Sequence, residues 1–173
     1  TRFQVWPPQN MPPIAQPWTR SAFGPRIAMV ETGGWDTHSN QNVRLAAQLK
    51  NLDALLAALR DGLGAAWSDT ALLVATEFGR TVAVNGTAGT DHGTASAMML
   101  VGGAVNGKRI LADWPGLRAS ALYEARDLKP TSAMDALISN VVSECFALDP
   151  ELTTRTLFAN VAPKAEVLKL LRS

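Results

Sequence analysis

Cysteine is almost missing from this chain: Cys145 is the only one in 173 residues. A single thiol closes no internal disulfide, so cross-linking within the chain is excluded and says nothing of compartment. Val141, Val142 and Phe146 place Cys145 in an apolar helical pattern with no basic or histidine neighbour to activate it. It reads as a structural thiol. Long hydrophobic runs are lacking too. No stretch approaches the ~20 apolar residues that cross a bilayer, and no signal peptide opens the chain. Charge of one sign is scarce, with 16 basic against 15 acidic residues and a net charge of +1. Without a long basic run there is no electrostatic footprint for a nucleic-acid backbone. Two catalytic signatures are absent as well. Gly102-Gly103 and Asn106-Gly107 are followed by no Lys-Ser/Thr, GxGxxG does not occur, and no Gly-x-Ser-x-Gly elbow is present.

What remains is the composition of a globular protein, 47% hydrophobic and 18% charged, at a length that fits one domain with a real core. Residues 1–25 stand apart. They hold six prolines (Pro7, Pro8, Pro12, Pro13, Pro17 and Pro25) and little periodicity, which predicts an extended arm or linker. The chain starts at Thr1 without methionine, and the expectation is a segment cut from something longer, with 26–173 forming the domain portion.

Along that portion, Arg26 to Glu31 is a short apolar run that predicts a buried strand feeding the Thr32-Gly33-Gly34 turn. Val43, Leu45, Leu49, Leu52, Leu55, Leu56 and Leu59 recur at three-to-four spacing and predict an amphipathic helix over about 40–67, capped by Ser39 or Asn40. Residues 70–76 and 97–101 predict two more buried strands. Lys108–Leu111 predicts a fourth, in a hairpin with the third through Asn106-Gly107. A helix over about 132–147 follows, with Thr131 as cap and Pro150 as its stop, and a last short helix is predicted over 161–171. Apolar strands separated by a long helix point to an α/β fold with a mostly parallel sheet. Sites in such sheets collect at the carboxyl ends of strands.

The chemistry concentrates at the chain's two histidines. Gly33-Gly34-Trp35-Asp36-Thr37-His38 and Thr90-Asp91-His92-Gly93 each pair an imidazole with a nearby carboxylate beside glycines. A third acid, Glu77, ends the apolar run 71–76. Imidazole with carboxylate suits zinc, manganese or iron. Brought together from separate loops, Asp36, His38, Glu77, Asp91 and His92 would form a divalent-metal site, with zinc or manganese favoured. Each has a plainer reading: His38 as a surface or capping residue, Glu77 as a partner of Arg80 or a turn cap, Asp91 as a support that orients His92. Arg80 either makes that ion pair or clamps an anionic substrate with its planar fork. Trp35 and Trp114 read as packing aromatics.

In order, Gly33-Gly34-Trp35-Asp36-Thr37-His38-Ser39-Asn40-Gln41, Glu77-Phe78-Gly79-Arg80-Thr81, Asn85-Gly86, Gly89-Thr90-Asp91-His92-Gly93 and Trp114-Pro115-Gly116-Leu117 resemble the bacterial domain-of-unknown-function 1501 family. The resemblance runs from about residue 26 to the C-terminus. It implies membership of the alkaline phosphatase/sulfatase-like superfamily and a three-layer α/β/α sandwich, incomplete here at its N-terminus. It also implies hydrolysis of phosphate or sulfate esters, and a periplasmic or secreted location reached by the twin-arginine route. By chain order, Asp36, His38 and His92 would hold one metal. Glu77 would serve a second, where Phe78 replaces the usual histidine and cannot ligate. The superfamily's nucleophile belongs to a half that precedes these motifs, and no Ser or Thr here takes its place. The alternative is a degenerate, non-catalytic domain that acts as a binding or structural module of the cell envelope. The expected partners are a small anionic ester and a second copy of the chain, paired through a bare sheet edge. No nucleic acid and no membrane span are expected.

Overall fold

The computed structural model describes residues 5–6, 26–158 and 169–172. The chain divides into two units: residues 1–67 with 84–91, and residues 68–83 with 92–173.

The first unit is built around helix α1, Gln41–Leu63. Alanine, leucine, glutamine, lysine and arginine dominate this stretch, and proline is absent, so helix propensity is high throughout. Its beginning is unusual. Asn40 holds the N-cap position in a left-handed conformation (φ 47°) and makes no side-chain cap. The N–H groups of Asn40 and Gln41 donate instead to the carbonyls of Thr87 (3.0 Å) and Ala88 (2.9 Å). The loop 84–91 thus does what a capping side chain does elsewhere, satisfying donors that the helix cannot. At the other end Gly64 returns its N–H to Arg60, and a 3-10 turn, Gly64–Asp69, follows. The predicted helix is present, but its apolar stripe is not sunk in a core. No residue of α1 is buried, Leu45, Leu52, Leu55, Leu56 and Leu59 are half-buried, and Val43 and Leu49 are exposed.

Two short strands, β1 (Val5–Trp6) and β2 (Met29–Val30), pair in parallel with Val5 opposite Met29 and Trp6 opposite Val30. Arg26–Glu31 was expected as a buried strand. It supplies only β2, and both β2 residues are exposed. Apolar, β-branched composition favours extended backbone, whereas burial requires a second surface to cover it. The rest of the arm expected over 1–25 lies outside the described residues. The loop after β2 is tied down by Trp35 Nε1, which donates to Thr32 Oγ1 (2.9 Å), and by Gln48 Nε2 of α1, which donates to the Gly33 carbonyl (2.8 Å).

The second unit contains β3 (Leu72–Val74) and β6 (Met99–Val101), antiparallel with Leu73 opposite Leu100. β4 (Gly79–Arg80) and β5 (His92–Gly93) are also antiparallel, with Arg80 opposite His92. Beyond β6 the chain turns at Gly102, whose φ of 142° suits only glycine and whose Cα lies so close to Thr70 that a Cβ would strike the Thr70 carbonyl oxygen. Gly102→Ala is therefore expected to destabilise this unit by roughly 2–3 kcal/mol through backbone strain and collision. A shift of the urea midpoint too small to match that loss would count against the assignment.

The fourth strand and its hairpin do not form. Residues 108–111 are irregular, Lys108 has a positive φ of 64°, and Ile110 is almost fully exposed. The reason is competition for backbone partners. Val105 bridges to Leu171, Asn106 N–H donates to the Leu170 carbonyl (2.8 Å), and Arg172 N–H donates to the Ala104 carbonyl (2.7 Å). Glu144 of α2 (Met134–Phe146) accepts the N–H groups of both Leu170 (3.0 Å) and Leu171 (2.8 Å). Val105, Val141, Leu170 and Leu171 are the buried apolar residues among those described. Most of the helix expected over 161–171 lies outside the described residues, and Leu171 is extended.

Thr131 does not cap α2, whose N-cap position is Ala133. Pro150 begins a helix rather than only ending one. α3, Pro150–Leu157, has proline in its first turn and Asp149 as N-cap, accepting from Leu152 N–H at 2.7 Å. Proline costs nothing there, because that N–H has no intrahelical partner. Cys145 is half-buried, and Trp114, expected to pack, is 63% exposed. Among the described residues no helix is long and apolar enough to cross a membrane.

Candidate functional site

The loop between β2 and α1 carries Asp36 and His38, and the loop 84–91 closes back upon it. Thr90 N–H donates to the Thr37 carbonyl (3.3 Å), and the hydroxyls of Thr37 and Thr90 both donate to Gln41 Oε1. Thr37, Gly89 and Thr90 are buried here, while the charged side chains stay near solvent. The approach is close because residue 89 is glycine: a Cβ there would collide with the carbonyl group of His38.

This docking places three of the expected ligands together. His38 Nε2 lies 2.9 Å from Asp36 Oδ1, and His38 Nδ1 lies 2.9 Å from Asp91 Oδ1. All three side chains are about half exposed, at 48%, 54% and 57%. Sequence alone left Asp91 as a ligand or as a support for His92; the structure sets its carboxylate against His38.

Asn85 organises the loop. Its Nδ2 donates to the His38 carbonyl (2.9 Å) and to Asp91 Oδ1 (3.1 Å). Its Oδ1 accepts from the N–H groups of Thr87 and Gly89, both at 3.0 Å. The Thr87 hydroxyl donates to the His38 carbonyl at 2.6 Å, with Asn85 Oδ1 as the alternative acceptor of its one proton at 2.9 Å. Asn85 and Gly89 were visible only as members of a motif. Asparagine followed by glycine marks a turn, but which distant backbone the turn would grip has no local signature.

Glu77, Arg80 and His92 belong to the second unit. Glu77 is exposed after β3. His92 stacks on Phe78, with ring centroids 4.0 Å apart and planes at 18°, and the Arg80 guanidinium lies over the Phe78 ring, 5.1 Å from its centroid. Phe78 therefore links the two predicted functional residues by stacking and cation–π contact.

Behind β5 lies a feature that the sequence did not betray. Asp127 is buried, 1% exposed, and receives Arg126 Nε on Oδ1 (2.9 Å), Arg126 Nη2 on Oδ2 (3.1 Å) and the Thr94 hydroxyl on Oδ2 (2.8 Å). Those Arg126 bonds hold its carboxyl below the ordinary value, against the opposing push of burial, and Thr94 adds to the lowering. Its backbone is bridged to Thr81 and Tyr123, and Val82 N–H donates to the Arg126 carbonyl (3.1 Å). Arg126 Nη2 also reaches the His92 carbonyl at 3.5 Å. Asp127 thus braces the segments that carry Arg80 and His92.

The chain matches the family model described as "Protein of unknown function (DUF1501)" over residues 20–145. It belongs to this family. The matched span contains every predicted ligand, Arg80, Asn85 and the Asp127 brace, while α3 lies beyond it. No curated protein and no solved structure matches the chain.

Proposed function

We propose that this DUF1501 chain carries the metal-binding loops of a metal-dependent hydrolase whose substrates are phosphate or sulfate esters. The observation that carries the reading is the His38 ring set between Asp36 and Asp91, 2.9 Å from each. The donor set fits a divalent cation. Asp36 Oδ1 and His38 Nε2 are near enough to share one ion, and Asp91 on Nδ1 matches the carboxylate–histidine pairing that orients metal-bound imidazoles. Zinc or manganese suits nitrogen with carboxylate oxygen. His92, next in the chain to Asp91, is the proposed third ligand; Glu77 is the proposed ligand of a second ion and Arg80 the group that binds the anion. A cation so held would polarise an ester oxygen and acidify bound water. The proposal extends to an alkaline-phosphatase-like α/β/α sandwich and to twin-arginine export to the periplasm or beyond.

The test is metal analysis with assays of aryl phosphate and aryl sulfate esters on the full-length protein. Bound zinc or manganese, with turnover lost at least 100-fold in His38→Ala, is expected. A folded protein that takes up neither metal and turns over neither ester would end the reading.

The Phe78–His92 stack favours a second reading, since an aromatic packed on an imidazole face, at a position where the superfamily often has a histidine, is what a degenerate site would show. In that case the protein is a non-catalytic module of the cell envelope. Metal bound at full occupancy with no turnover of either ester in the full-length protein would select it.

A further inference from the structure

We infer that Asn85 is a positioning residue that acts through Asp91 to decide which nitrogen of His38 is left to bind an ion. The role of the ion rests on the function proposed above; the state of the ring does not. A neutral imidazole has one N–H, yet both His38 nitrogens lie 2.9 Å from a carboxylate oxygen. In the neutral ring only one carboxylate can therefore receive the proton-bearing nitrogen, and the other faces a lone pair unless a cation comes between them.

Asn85 resolves the choice. Two backbone donors converge on its Oδ1, the N–H groups of Thr87 and Gly89. They fix the amide orientation, because a flipped amide would point its own N–H groups at those donors. The nitrogen must then face the opposite way, and there it meets the two acceptors that define His38: its carbonyl at 2.9 Å and the Asp91 carboxylate at 3.1 Å. One side chain thereby holds both the backbone of the histidine and the acceptor for its ring. Asp91, fixed in this way, takes the Nδ1–H. Nε2 keeps its lone pair beside Asp36, in the form that can coordinate a metal.

Long-range proton–nitrogen spectra of the metal-free full chain, recorded at alkaline pH where imidazole is neutral, read this directly. The chain has two histidines, and His38→Gln assigns the signals. Wild-type protein is expected to show His38 as the Nδ1–H tautomer, the minor form of free imidazole. Asn85→Asp keeps the shape and the acceptor that holds Thr87 and Gly89 but removes the donor, so it separates positioning from folding should Asn85→Ala fail to fold. It is expected to shift His38 towards Nε2–H and to weaken zinc binding about 10–100-fold. A wild-type His38 in the Nε2–H form would overturn the inference. So would a folded Asn85→Asp variant with tautomer and zinc affinity unchanged. The Nδ1–H tautomer in a wild-type protein that binds no zinc would uphold the positioning role while removing the metal reading.

Discussion

Arg126→Met is expected to cost the second unit roughly 2–4 kcal/mol, more than Asp127→Asn, although Asp127 is the buried member of the pair. The asymmetry comes from what each change leaves behind. Removing the carboxylate charge leaves an arginine whose side chain is 58% exposed and can be rehydrated. Removing the guanidinium leaves a carboxylate in the interior with the Thr94 hydroxyl as its remaining side-chain donor. Acid sensitivity should separate the variants further. The carboxyl of Asp127 is lowered in the folded protein, chiefly by Arg126. Its contribution is therefore fully present above the unfolded value of about 4 and is lost as pH falls through the lower folded value. Without Arg126 the largest cause of that lowering is gone. The variant's deficit is therefore greatest at neutral pH and shrinks as pH falls through the carboxylate range. Urea titrations at pH 7 and at about pH 2–3, below the unfolded carboxyl value, measure both effects, and amide exchange at Val82 reports the local brace. A deficit that grew on acidification would contradict the account.

Gly89→Ala is expected to lower stability by about 1–3 kcal/mol and, at the proposed metal site, to weaken zinc binding at least 10-fold. The added methyl would meet the His38 carbonyl group and the Ser39 nitrogen, which are backbone atoms and cannot rotate away. The loop would have to withdraw. In doing so it would release the carbonyls of Thr87 and Ala88 from the start of α1 and move Asp91 from His38. Zinc titration with thermal unfolding distinguishes this from a purely structural lesion. Gly86→Ala is the control, since a Cβ there meets nothing within 4 Å. Equal losses from both substitutions would show that close approach at residue 89 is not the cause.

Much of the local structure was legible in the chain itself. Leucine and alanine at helical spacing announced α1 to within a few residues, and apolar runs ending in polar turns located β2, β3 and β6. Asp36, His38 and Asp91 were nominated by residue type and glycine context, and the structure brings these three together. The hairpin at 108–111 failed for a reason no local pattern contains: residues 104–106 spend their hydrogen bonds on 170–172, more than sixty positions away. Pro150 read as a stop because proline is hostile to helix interiors, yet with Asp149 before it the same residue starts α3.

By itself, then, the amino-acid order determined the periodicities, the glycines that permit tight turns, and the set of groups able to bind a cation. Tertiary structure alone decided which of those groups meet. It turned Asp91 to His38, made Asn85 the clasp between two loops 47 residues apart, and buried Asp127 under Arg126 and Thr94. The physical reason is range. Propensity and periodicity act over a few residues, whereas the direction of a hydrogen bond and the burial of a charge depend on chain segments that only folding brings into contact.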